Sequence, residues 1–134
     1  MKALRNRGSA VIIKSNKVAL IKRVKGDCVY FVFPGGGIEE GESPEEATIR
    51  ETLEELGVHI RIIDEFGEVE FNGTQYFYLS EIIDGVFGTG QGEEFSECDS
   101  DRGTYQPLWV EINKLSTINV RPKSVADKII SLFK

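Results

Sequence analysis

Apolar positions come in short runs through the first third of the chain. Ala10–Ile13 and Val18–Ile21 are two such runs, and Ser15-Asn16 between them reads as the turn of a hairpin. Lys22, Arg23 and Lys25 continue the second strand or just follow it. Gly26-Asp27 marks another turn. Cys28–Phe33 is aromatic and β-branched enough for a buried strand that stops at Pro34-Gly35-Gly36-Gly37. Ser43 to Gly57 then carries the signals of a helix. Ser43 suits an N-cap, Pro44 the first helical position, Glu46 a capping box with Ser43, and Gly57 a left-handed C-terminal cap. Further strands are predicted at Ile60–Ile63, Glu68–Phe71, Gln75–Ile83 and Tyr105–Ile112. A last helix is predicted at Ser124–Phe133, with Val125, Ile129, Leu132 and Phe133 as its core-facing stripe.

Strands on both sides of one central helix, plus a C-terminal helix, predict an α/β (α+β) sandwich with a central mixed sheet. The order is not the regular βαβ alternation of a doubly wound nucleotide fold. With 134 residues, 40% hydrophobic and 28% charged, one domain over residues 1–134 can bury a core without a disulfide or metal staple. Sixteen basic and 22 acidic residues give a net charge of −6. That balance disfavours a grip on a nucleic-acid polymer but leaves room for a small phosphorylated ligand bridged by a divalent cation.

Cys28 and Cys98 are too few for a disulfide scaffold and do not form a metal-type pair. The run Ala10–Ile13 is too short for a signal-peptide core or a membrane span. A soluble, cytoplasmic protein with reduced thiols and no membrane contact is expected.

The helix at Ser43–Gly57 concentrates the chemistry. At about 100° per residue, with Glu51 set to zero, Glu54 falls near 300° and Glu55 near 40°. Ile49, Leu53 and Leu56 fall on the opposite side, so one face is expected to pack while the other presents three carboxylates. Like charges at i, i+3 and i+4 cost a few tenths of a kcal/mol per pair, and Arg50 is the nearby base. A solvated charged face and an oxygen-only site for Mg²⁺ or Mn²⁺ are both compatible with the helix alone. Gly35, Gly36, Gly37 and Gly41 just before it let backbone groups face a ligand, although no P-loop or dinucleotide-binding glycine pattern is present.

Taken together, Gly36 to Val58 resembles the signature of the Nudix hydrolase (MutT-like) family, G-x5-E-x7-R-E-U-x-E-E-x-G-U, where U is bulky and aliphatic. Gly36, Glu42, Arg50, Glu51, Glu54, Glu55, Gly57 and Val58 match at the required spacing, and Thr52 departs from it at the first U position. The resemblance implies a Nudix-type α/β/α sandwich and Mg²⁺-dependent hydrolysis of a pyrophosphate link in a nucleoside diphosphate joined to another moiety. It implies Glu54 and Glu55 as metal ligands, Glu51 as ligand or base, and the Gly35 or Gly36 carbonyl as a further oxygen. Arg50 would hold Glu42 or Glu51 in place, with Glu42 structural.

Some family members add an acid from outside the motif. Glu93, Glu94 and Glu97, in the Gly-rich acidic segment Asp84 to Thr104, are candidates, with Glu94 or Glu93 preferred. Arg5, Arg7, Lys22 and Arg23 on or beside the early strands could balance phosphates, and Gly36 and Gly37 could contact them. Tyr30, Phe31, Phe33, Tyr76, Phe77, Tyr78 and Trp109 read mainly as core, and His59 as a polar residue following the helix. The competing reading is a nucleotide-sensing module of the same fold that does not cleave its ligand. The expected partner is a nucleotide-type small molecule, and a homodimer through edge strands fits the reading.

Overall fold

The computed structural model describes residues 6–70, 73–89 and 104–133. The elements are β1 (Arg7–Lys14), β2 (Lys17–Lys25), β3 (Cys28–Val32), β4 (Gly35–Gly37), α1 (Pro44–Leu56), β5 (Val58–Glu70), β6 (Thr74–Gly85) and β7 (Thr104–Glu111). A 3-10 turn (Ile112–Thr117), β8 (Val120–Arg121) and α2 (Lys123–Phe133) complete them. β1 and β2 form the predicted hairpin, with Ser15 and Asn16 both at positive φ, the backbone a tight two-residue turn needs.

β1 and β2 stay paired only near that turn and then diverge, which curls one eight-stranded sheet into two halves. β1 runs between β4 and β6, with β5 beyond β6. β2 runs between β7 and β3, with β8 beyond β3. The β1–β6 and β3–β8 pairs are parallel and the rest antiparallel, so the sheet is mixed as expected.

Alternation along β1 sends Ala10 and Ile12 to a cluster with Leu56 of α1. Val11 points the other way, to a cluster with Val125, Ala126 and Ile129 of α2. The helices therefore cover opposite faces.

Several predicted boundaries are corrected. The separate strands at Ile60–Ile63 and Glu68–Phe71 belong, as far as Glu70, to one strand, β5, with register shifts at His59/Ile60, Ile62/Asp64 and Glu65/Gly67. Each shift breaks the strict alternation by which a single strand is recognised. The same shifts interrupt the outer edge of the sheet, where a flat edge would be needed for pairing with a second copy. Asp84 and Gly85, expected to open the long acidic segment, end β6, and the Gly88 N–H reaches the Leu56 carbonyl at 2.9 Å.

Ile112 begins the 3-10 turn rather than ending β7. On α2, Leu132 is 60% exposed, and Ala126 replaces it in the buried stripe. The short strands β4 and β8 carry too few residues to show a period. Among the described residues no helix is long and apolar enough to cross a membrane.

Candidate active site

α1 begins and ends where its sequence says it should. The Ser43 hydroxyl accepts the Glu46 N–H at 3.1 Å and the Glu46 carboxylate accepts the Ser43 N–H at 2.9 Å, while Gly57 caps the far end at φ 78°. A cap of this kind is worth about 1 kcal/mol and sets the helix register for everything that follows.

The face that α1 buries is not the predicted one. Ala47, Thr48, Thr52, Glu55 and Leu56 are buried, whereas Ile49 and Leu53 are 37% and 36% exposed. The helix is turned by roughly 100° from the expected orientation. The cause lies in the glycines it packs against. A Cβ on Gly8 of β1 would stand 2.4 Å from Thr48 Oγ1 and 2.6 Å from the Pro44 carbonyl, so helix and strand meet backbone to side chain with no space for a larger residue. Such close approach selects the small side chains of α1 and leaves two larger ones outside.

This rotation brings the acidic arc against β4. A Cβ on Gly36 would fall 2.3 Å from the Glu51 carboxyl carbon and 2.6 Å from both of its oxygens. Glu55 is buried and accepts the Gly35 N–H at 2.8 Å. Arg50 ties the remaining acids together. Its Nε and Nη2 donate to the two Glu42 oxygens at 2.7 and 3.0 Å, and Nη2 also reaches the Gly37 carbonyl at 3.1 Å. Its Nη1 lies 3.1 Å from Glu51 Oε2 and 3.4 Å from Glu54 Oε2.

The two-pronged Arg50 contact, helped by the Glu39 N–H, holds the Glu42 carboxyl down at about 2, against an ordinary 4.5. Burial pushes the Glu51 carboxyl up, against the pull of Arg50, with Glu54 adding to the rise. The depressed Glu42 group stabilises the fold above its unfolded value near 4.5, and that contribution is lost as pH falls toward 2. Thermal melts of wild type and Glu42→Gln should therefore converge as pH is lowered from 7 to 3. Curves that keep a constant separation would contradict the coupling.

Thr52, the departure from the motif, is fully buried, and its Oγ1 has no hydrogen-bond partner. Thr48 one turn earlier donates to the Pro44 carbonyl at 2.8 Å. An unpaired buried hydroxyl costs about 1–3 kcal/mol, so Thr52→Val, which keeps shape and β-branching, should raise Tm by a few degrees. A lower Tm in calorimetry would show that the hydroxyl has a stabilising role.

A cleft of about 570 Å³ opens beside Gly35 and Glu55. Arg7 and Arg23, expected from the early strands, line it, whereas Lys22 does not. Arg121, Tyr105 and Gln75 also line it and were not anticipated, since they come from separate strands and share no local pattern. Phe33 and Phe77 lie in the wall, edge to face at 5.6 Å. His59 is exposed on β5, and Trp109 is half-buried against Phe87. Arg5, Glu93, Glu94 and Glu97 lie outside the described residues.

The oxygen-only donors Glu51, Glu54 and Glu55 suit a hard divalent ion, and the Gly36 gap gives the Glu51 carboxylate a berth that a side chain would fill. Among the described residues no three Asp, Glu, His or Cys side chains already converge on one point. Glu51 and Glu54 turn to Arg50, and Glu55 to Gly35.

The NUDIX domain model matches residues 4–130. A putative 8-oxo-dGTP diphosphatase of Bacillus subtilis (strain 168) is 34% identical over 83 residues, covering 58% of this chain and 54% of that protein. An ADP-ribose pyrophosphatase of Methanocaldococcus jannaschii is 50% identical over 52 residues, 36% of this chain and 29% of that protein. The chain thus spans about half or less of these two relatives. A solved structure described as MutT from Aliivibrio salmonicida and Vibrio cholerae superposes with a TM-score of 0.68 at 25% identity, covering 96% of this chain and 98% of that one.

Proposed function

Because the chain belongs to the NUDIX domain family, we propose that it hydrolyses a pyrophosphate bond in a nucleoside diphosphate linked to another moiety, with Mg²⁺ or Mn²⁺. The observation that carries this reading is the placement of Glu51 and Glu55 against the β4 glycines, with Glu54 joined to Glu51 through Arg50, beside an arginine-lined cleft that Glu55 enters. Glu54 and Glu55 would hold the ion, with Glu51 as a further ligand or as the base, and the Gly35 or Gly36 carbonyl as an additional oxygen. When bound, a divalent ion neutralises phosphate charge and lowers the pKa of a water.

The chain's own groups prepare that chemistry. Arg50, anchored on Glu42 and the Gly37 carbonyl, fixes the Glu51 and Glu54 side chains relative to the strand. Gly35 fixes Glu55 through its N–H. Arg7, whose charge is felt at Glu51, offers a cation to the phosphate chain. A buried base with its pKa raised toward neutrality accepts a proton more readily, and Glu51 is shifted in that direction. The relatives named above act on different nucleotides, so the substrate class is open to 8-oxo-dGTP-like triphosphates and to ADP-ribose-like compounds. A cytoplasmic setting would keep the exposed thiol of Cys28 reduced.

The deciding experiment is a panel of nucleoside triphosphates, nucleotide sugars, ADP-ribose and dinucleoside polyphosphates, read by released phosphate or pyrophosphate with and without metal. Metal-dependent product from at least one class is expected. Thermal stabilisation by a nucleotide without product would replace the hydrolase reading with a sensing module.

A further inference from the structure

Three residues on neighbouring strands form a stacked row beside the cleft, which Arg23 and Tyr105 line. Tyr105 of β7 and Tyr30 of β3 are both direct cross-strand partners of Arg23 on β2. The Arg23 guanidinium carbon lies 3.9 Å from the Tyr105 ring centre and 5.8 Å from that of Tyr30. Arg121, the last residue of β8, extends the row, its guanidinium 4.1 Å from the Tyr30 ring centre. Cation–π contacts of this kind orient a guanidinium while leaving its in-plane N–H groups available. Among the described residues Arg121 makes no hydrogen bond or ion pair. Its donors are held in place and unspent at the rim of the cleft.

The cleft lining combines two chemistries. It offers Arg7, Gly35 and Glu55, the groups suited to the diphosphate. The same lining carries apolar side chains, Val32, Phe33, Val69 and Phe77, a surface that accepts the face of a planar ring. Arg121, Gln75 and Glu70 supply polar groups in the same lining, and Glu70 is already engaged by the Thr74 hydroxyl, which donates to it at 3.0 Å. An amide can present either its donor or its acceptor, so Gln75 does not discriminate, whereas a guanidinium can only donate.

We infer that Arg121 is a specificity residue that reads the carbonyl edge of the substrate's nucleobase and favours keto bases (guanine, uracil, thymine) over amino bases (adenine, cytosine). The inference rests on the nucleotide-hydrolase reading of the cleft. A guanidinium fork meets O6 and N7 of guanine, or O4 of uracil and thymine, where adenine and cytosine carry an NH₂ group instead. Opposite an exocyclic NH₂ group it faces another donor, and neither group finds a partner. Discrimination of about tenfold or more follows from one such contact.

The test measures kcat/KM of the full chain with Mg²⁺ for GTP, UTP, ATP and CTP, in wild type, Arg121→Ala and Arg121→Gln. Arg121 is exposed, and an unchanged Tm confirms that the variants fold. Wild type should prefer GTP and UTP, chiefly through KM, and both variants should level the four substrates. A preference that survives in Arg121→Ala overturns the inference, as does a wild-type preference for ATP and CTP. So does an equal loss on all four nucleotides, which would make Arg121 a phosphate contact. If none of the four is turned over, the same comparison is made as Kd by calorimetry. A keto preference that Arg121→Ala abolishes then upholds base reading independently of hydrolysis, and its absence refutes it.

Discussion

Glu54→Gln and Glu55→Gln are each expected to lower kcat by more than about a hundredfold while leaving the melting transition close to that of wild type. The magnitude follows if each substitution removes one anion of the proposed metal site, at which phosphate charge would be stabilised by several kcal/mol. Both substitutions are gentle on the fold. The Glu54 side chain is 53% exposed, and its closest polar contact is the 3.4 Å approach of Arg50. Glu55 is buried, but a glutamine at this position still presents a carbonyl oxygen to the Gly35 N–H that now donates to it at 2.8 Å. Phosphate release under saturating Mg²⁺, run beside circular-dichroism melts, separates chemistry from folding. Two variants that retain turnover within tenfold of wild type would remove Glu54 and Glu55 from the mechanism.

Gly36→Ala should reduce turnover by about ten- to a hundredfold through geometry alone, without changing any charge. The new methyl group cannot coexist with the Glu51 carboxylate where it now lies, since the nearest approach would be 2.3 Å. The end of a flexible side chain moves more readily than a strand, so the carboxylate is displaced and β4 keeps its pairing with β1. A shift of about 1 Å in a positioned group can cost a hundredfold in rate. Gly67→Ala is the matching control, because nothing lies within 4 Å of its added carbon and it should leave kcat unchanged. Wild-type activity in Gly36→Ala would mean that Glu51 needs no particular placement.

What could be read from the chain was mostly local. Ser43, Pro44, Glu46 and Gly57 specify α1 through contacts a few residues apart, and every one of those contacts forms. The spacing of Glu51, Glu54 and Glu55 likewise puts them on one arc wherever the helix docks. The direction in which that arc faces was not local. It depends on Gly8, far from α1 in sequence, whose missing side chain lets the strand press on Thr48 and leaves Ile49 and Leu53 outside. Helical periodicity weighs residue types and has no knowledge of the opposing surface. The cleft was hidden for the same reason. Arg7, Arg23, Tyr105 and Arg121 meet there through the pairing of strands distant along the chain. Arg7 and Arg23 stood out as basic residues of the early strands, whereas no pattern within β7 or β8 marks Tyr105 or Arg121.

Arg50 has a bearing on how the protein is made and loaded. Its guanidinium is a counterion carried by the chain itself, and it quiets the repulsion among Glu42, Glu51 and Glu54 before any dissolved ion arrives. Under the proposed metal site, loading would be an exchange of partners rather than the filling of a void. The contacts to be surrendered, at 3.1 and 3.4 Å, are looser than the 2.7 Å grip on Glu42 that keeps the arginine at its post. Chelated protein should for that reason stay folded and recharge on dialysis, so that the ion serves the reaction and not the architecture.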